Sequence, residues 1–188
     1  FLADIAQNVA GDRLKVDSLI PISVDPHGFE PTPKDVARIS QSQALIVNGA
    51  GFEEWLDRVL KNVGGKRVVI AASAGLAMRQ PAEGEMAHEH EHEGDEHAHY
   101  HHEGDPHFWL DPLLVIKYTE NIRDGLTQAD PAGKEIYAAN AAAYIAKLQE
   151  LDAWIKSQVA TIPPERRLLV TNHESFGYFA DRYGFTVV

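Results

Sequence analysis

Ala44-Leu45-Ile46-Val47-Asn48-Gly49 and Arg67-Val68-Val69-Ile70-Ala71 are the stretches that decide the fold. Each is a short apolar run of strand length, and the first stops at Asn-Gly, a turn pair. Between them, Phe52 to Leu60 carries apolar residues at helical spacing, so the unit reads strand, helix, strand. The same alternation extends outward. Leu2, Ile5, Ala6 and Val9 predict a helix over residues 2–10 that Gly11 ends. Leu14 to Ile22 alternates as a strand that closes at Pro21. Thr32-Pro33 is an N-cap followed by a first-turn proline, which predicts a helix from Pro33 to about Ser40. Arg167–Thr171 reads as a strand, Ser175–Tyr183 as a helix, and Phe185 opens another strand. Strands alternating with helices imply an α/β fold with parallel sheets.

Two segments depart from this rhythm. Residues 81–106 hold Pro, Gly, Glu and His with almost nothing apolar, and so read as a disordered loop inserted before a helix starting near Asp111-Pro112. From Asp130-Pro131 to about Thr161 runs the longest helix, ended by Pro163-Pro164. Its apolar stripe is Tyr137, Tyr144, Leu148, Leu151, Ile155 and Val159. Roughly 30 residues at 1.5 Å each span about 45 Å, long enough for a strut between two lobes. A long helix packed along one domain fits the pattern equally well.

The chain has 188 residues, a formal charge of −11 and no cysteine. The charge argues against nucleic acid and anionic membrane partners and suits a protein that gathers cations. Without cysteine, any metal is held by nitrogen and oxygen, and the chain is at home in an oxidising compartment. No apolar run approaches the roughly 18 residues of a membrane span. Phe1–Ile5 already has the pattern of a helix interior, and Gly184–Val188 breaks off within an expected strand, so a piece of a longer chain is expected.

Histidine carries the functional signal. Asp-Pro-His occurs at Asp25-Pro26-His27 and again at Asp105-Pro106-His107. Each proline fixes its own φ and extends the residue before it, so each imidazole leaves a stiff turn in a defined direction. His27 and His173 follow expected strands at their carboxyl ends, where open α/β sheets bind ligands. His107 is anchored by Phe108-Trp109-Leu110. A lone histidine is usually a surface or hydrogen-bonded structural residue, but three at such positions point to a metal site. Asp25 and Asp105 either orient the imidazoles or merely start the turns. Glu30 and Glu174 read as solvated surface beside the candidate ligands, and Trp109 as core.

His88, His90, His92, His97, His99, His101 and His102 are interleaved with acids and have no fixed geometry. Such a segment gathers divalent ions weakly, as an auxiliary metal loop. Two further readings stand beside a carrier. One is a metal buffer in which this loop is the main site. The other is a zinc hydrolase with an open coordination position and Glu174 as base, which lacks a helical His-Glu-x-x-His and any oxyanion constellation.

Four stretches carry a family resemblance: Val24–Pro33, Val47–Glu53, Asp105–Pro112 and His173–Ala180. With them, the chain resembles the zinc/manganese class of periplasmic solute-binding proteins of ABC transporters, the zinc-uptake type in particular. The resemblance implies two α/β lobes joined by one long helix: residues 1–129 as the first lobe with the loop at 81–106, 130–162 as the linking helix, and 163–188 as the start of an incomplete second lobe. It implies no enzyme activity, a monomer outside the cytoplasm, and a membrane permease as partner. It also makes His27 and His107 ligands from the first lobe and His173 a ligand from the second, with a fourth, unidentified carboxylate expected beyond residue 188. Three imidazoles favour Zn2+ over Mn2+, and manganese members tend to carry a carboxylate where His173 stands. A manganese or general divalent-metal carrier is the alternative.

Overall fold

The computed structural model describes residues 1–188 except Ser23, His27, Glu54, residues 81–103 and Glu174, together with the side chain of Asp57. Helix α1 (Leu2–Ala10) ends at Gly11, and α2 (Pro33–Gln41) starts at Thr32. Thr32 and Asp35 form a reciprocal capping box at that start, which satisfies two otherwise orphaned backbone donors. Strands β1 (Ala44–Val47) and β2 (Val68–Ala71) pair in parallel with Ala44 opposite Val68, and α3 (Leu56–Asn62) connects them. Next come α4 (Pro112–Ala129) and α5 (Lys134–Val159). A second parallel pair, β3 (Leu168–Leu169) with β4 (Thr186–Val187), flanks α6 (Gly177–Tyr183). The expected α/β class with parallel sheets is what the chain adopts.

The first sheet packs side chains on both faces, with Val69 left 46% exposed, and its strands accordingly read as continuous apolar runs. Ile46 and Ile70 face a core built from α1, α4 and α5, around the fully buried Tyr118, Ile122 and Tyr137. Leu45, Val47 and Ala71 face the other way, onto Ile39, Trp55 and Leu56. Helix α4 approaches β2 closely because residue 125 is glycine: a Cβ there would lie 2.4 Å from Ile70 Cγ1. Among the described residues, no helix is long and apolar enough to cross a membrane.

Several expectations need correction. Residues 14–22 form no strand. The Gln7 side chain takes two of their backbone groups instead: Nε2 donates to Leu14 O at 3.0 Å, as it does to Gly11 O at 2.7 Å just before the segment, and Oε1 accepts from Val16 N at 2.9 Å. This segment and β1 line a cavity of about 1010 Å³. Helix α3 starts at Leu56 and not at Phe52, because Glu53 is spent capping the loop after β1. The last three residues of the expected 81–106 loop, Gly104 to Pro106, are held in place, since Asp105 bridges Arg79 and Gly104 and Pro106 are buried. The remainder of that loop lies outside the described residues.

The long helix is α5, whose 26 residues span about 39 Å. It packs against α4 and α1. Its buried side runs Tyr137, Ala141, Leu148, Asp152 and Val159, whereas Leu151 of the expected stripe is 43% exposed. Asp152 is buried in its place because it has partners: Arg182 Nε at 2.7 Å, Tyr183 OH at 3.1 Å and Lys156 Nζ at 2.9 Å. These bonds hold the Asp152 carboxyl down near a pKa of about 2, with the Arg182 hydrogen bond as the main cause. Arg182 also lies 3.2 Å from Asp111 Oδ1, so it joins α6 to the start of α4 as well as to α5.

Candidate metal centre

His107 is buried and is fixed by its own turn. The Asp105 carboxylate accepts from His107 N at 2.9 Å and contacts Nδ1 at 2.7 Å. An ionised carboxylate only accepts, so in a neutral imidazole paired with it Nδ1 is the donor and Nε2 keeps the lone pair that a metal would need. Of the two readings for Asp105, orienting an imidazole is therefore the one its contacts support. Phe52 and Trp109 wall the ring, with centroids 6.2 and 5.1 Å from it. Trp109 is half-buried and stacks on Phe1, so it serves as wall and core together.

The turn itself is clamped from several elements. Asp105 N donates to Arg79 O at 3.0 Å. Tyr178 OH, on α6, donates to Asp105 O at 2.7 Å and accepts from Arg79 N at 2.7 Å. On the next peptide, Asn48 Nδ2 donates to Pro106 O at 3.1 Å. Asn48 is fully buried at the carboxyl end of β1, and its Oδ1 accepts from Tyr118 OH of α4. The loop after β1 runs through Gly49, Ala50 and Gly51, all at positive φ. At the start of this loop Glu53 accepts from Asn48 N at 2.6 Å and Gly49 N at 3.0 Å. Burial raises the Glu53 pKa, and these two amide bonds oppose the shift.

His173 is exposed and follows β3. Its Nε2 lies 3.1 Å from His107 Nε2, with the rings 5.0 Å apart and nearly perpendicular. Two nitrogens bound at about 2.05 Å to a tetrahedral ion are about 3.3 Å apart, so this pair needs only a slight opening to share one. The structure thus brings together two of the three histidines singled out from the sequence. His27, Glu174 and the loop histidines from His88 to His102 lie outside the described residues. Asp25 and Glu30 are exposed. Among the described residues, no group of three His, Asp or Glu side chains converges on one point. Sequence reasoning missed Asn48, Arg79 and Tyr178, which reach the His107 turn only through the tertiary fold. The signal present was that Asn48 and Tyr178 lie within the Val47–Glu53 and His173–Ala180 stretches.

Comparison with known proteins places the chain as a whole in a family. The family model described as "ZnuA: Zinc-uptake complex component A periplasmic" matches residues 1–188. The manganese-binding lipoprotein MntA of Halalkalibacterium halodurans is 42% identical over all of this chain and 57% of its own length. The high-affinity zinc uptake system protein ZnuA of Bacillus subtilis is 40% identical over 98% of this chain and 56% of its own. The chain thus spans about 57% of the length of the curated relatives it matches. Among solved structures, Zn(II)-bound AdcA from Streptococcus pneumoniae aligns with a TM-score of 0.81 and 33% identity, covering 100% of this chain and 36% of that one. On these matches, the chain belongs to the zinc-uptake complex component A periplasmic family.

Proposed function

We propose that this chain is the metal-capturing part of a solute-binding protein that works outside the cytoplasm and hands Zn2+ to the membrane permease of an ABC transporter. It is a monomeric carrier and not an enzyme. The single observation that carries this reading is the 3.1 Å approach of His107 Nε2 to His173 Nε2 from sequence positions 66 residues apart. In this reading His27 is the third ligand and a carboxylate beyond residue 188 the fourth. Residues 1–129 and 163–188 belong to different lobes, with 130–162 as the link. The loop histidines, from His88 to His102, raise the local metal concentration.

Zinc is favoured because the ligands assigned within this chain are all imidazole nitrogen, whereas manganese prefers oxygen. Manganese is the second reading, supported by the name of the 42% identical relative. A competitive titration tests both, using this chain and a version extended to a whole second lobe, each with and without residues 81–104. The extended form should hold one tight Zn2+ that survives loop removal and is lost in His107→Ala and His173→Ala. Several weak, loop-dependent ions in both forms would mean a buffer. Mn2+ bound more tightly than Zn2+ would reverse the choice of ion.

A further inference from the structure

We propose that Tyr178 is a positioning residue of the metal centre, which holds the two imidazoles at a common spacing without touching the ion. The proposal rests on His107 and His173 being ligands. Tyr178 lies five residues after His173, on the helix that follows it. Its hydroxyl makes two bonds at once: it donates to the carbonyl of Asp105 and accepts from the amide of Arg79, both at 2.7 Å. Asp105 is the residue whose carboxylate grips His107 Nδ1. One phenol therefore fastens the helix behind His173 to the peptide that aims His107.

The neighbours give this contact its leverage. The Tyr178 ring is buried against Phe108, with centroids 4.9 Å apart, so the hydroxyl has little freedom to wander. The Arg79 side chain reaches the same helix, with Nε 2.7 Å from Asp181 Oδ2. Gly177 leaves room for it, because a Cβ there would lie 2.7 Å from Arg79 Nη1. Among the described residues of α6, Tyr178 is the one whose side chain hydrogen-bonds the backbone of the His107 turn. Burial raises its pKa to about 12, so it remains a donor throughout the working pH range.

The test uses the full-length protein with Zn2+ in competition with a chromophoric chelator, and Co2+ as a visible-absorption probe of ligand geometry. Tyr178→Phe keeps the ring and deletes only the two hydroxyl bonds. We expect one site per protein, about five- to tenfold weaker, the usual net worth of a hydrogen bond. We also expect faster release and a changed Co2+ spectrum. Tyr183→Phe is the control: it loses a buried hydroxyl contact to Asp152, away from both imidazoles, and should leave affinity, release and spectrum unchanged. Wild-type affinity, release and spectrum in Tyr178→Phe, with binding lost in His107→Ala, would overturn the positioning role alone. Equal weakening in both tyrosine variants would also overturn it, as a general loss of stability. Tight binding retained in His107→Ala would overturn the ligand assignment, and the positioning role with it.

Discussion

Replacing Asn48 with alanine tests the framework beneath the His107 turn. Asn48 is 0% exposed and links three elements: β1, which it directly follows, α4 through Tyr118 OH, and the Asp-Pro-His turn through Pro106 O. Truncation leaves that hydroxyl and that carbonyl without a partner in a place water does not reach. Each such group costs about 1–3 kcal/mol, so the loss should be about 2–6 kcal/mol. Its third bond, to Gly49 O at 3.1 Å, lies at the edge of the core and adds little. Urea unfolding with linear extrapolation measures the loss. Tyr118→Phe, which strips only the other end of one bond, should cost about 1–2 kcal/mol. Because the two side chains share that bond, the double variant should be less destabilised than the sum, by about 1 kcal/mol. Metal affinity supplies a second readout: freeing Pro106 O should weaken binding in Asn48→Ala more than in Tyr118→Phe. A stability loss below about 0.5 kcal/mol, or strict additivity, would refute the network.

Two further outcomes follow from named contacts. Asp105→Ala removes the acceptor at His107 Nδ1, and the loss of such an orienting carboxylate costs about 10- to 100-fold in metal affinity; a competitive Zn2+ titration giving wild-type affinity would reject the orienting role. Asp152 has its pKa lowered from 3.8 to about 2, so it binds its proton more readily unfolded than folded; its contribution is complete above about pH 4 and lost as pH falls toward 2. Asp152→Asn should therefore flatten that part of the curve of stability against pH, and parallel wild-type and variant curves between pH 4 and 2 would contradict the pairing with Arg182.

The α/β alternation was legible because strands that pack side chains on both faces are unbroken apolar runs, and β1 and β2 are of that kind. Strand pairing is not a local property, however. Residues 14–22 alternate as well as many true strands, yet the Gln7 amide, seven residues before Leu14, supplies the bonds a neighbouring strand would have supplied. The same limit applies on α5. Periodicity favoured Leu151 for burial, but Arg182 and Tyr183, some 30 residues later, make Asp152 the residue that turns inward. A helix whose buried side includes a carboxylate cannot be read from hydrophobicity alone.

For the site, sequence could select residue types but not their support. His107 and His173 stood out because histidine in a proline-stiffened turn or after a strand is chemically suggestive. Asn48 and Tyr178 did not, since an Asn-Gly pair and an aromatic within a helix are commonplace. What gives them their role is that they grip adjacent carbonyls of the turn, Pro106 O and Asp105 O, from elements far apart in sequence. The two imidazoles are consequently unequal. His107 is buried, with its ring, amide and flanking peptides bonded, so its ordering is settled when the chain folds. His173 is exposed, so on the proposed ligand assignment more of its ordering is left to metal binding. Ordering a side chain costs free energy whenever it happens. On the proposed ligand assignment, stiffness on the His107 side therefore governs how much of the metal's binding energy remains as affinity, and residues that never meet the ion belong in any account of its capture.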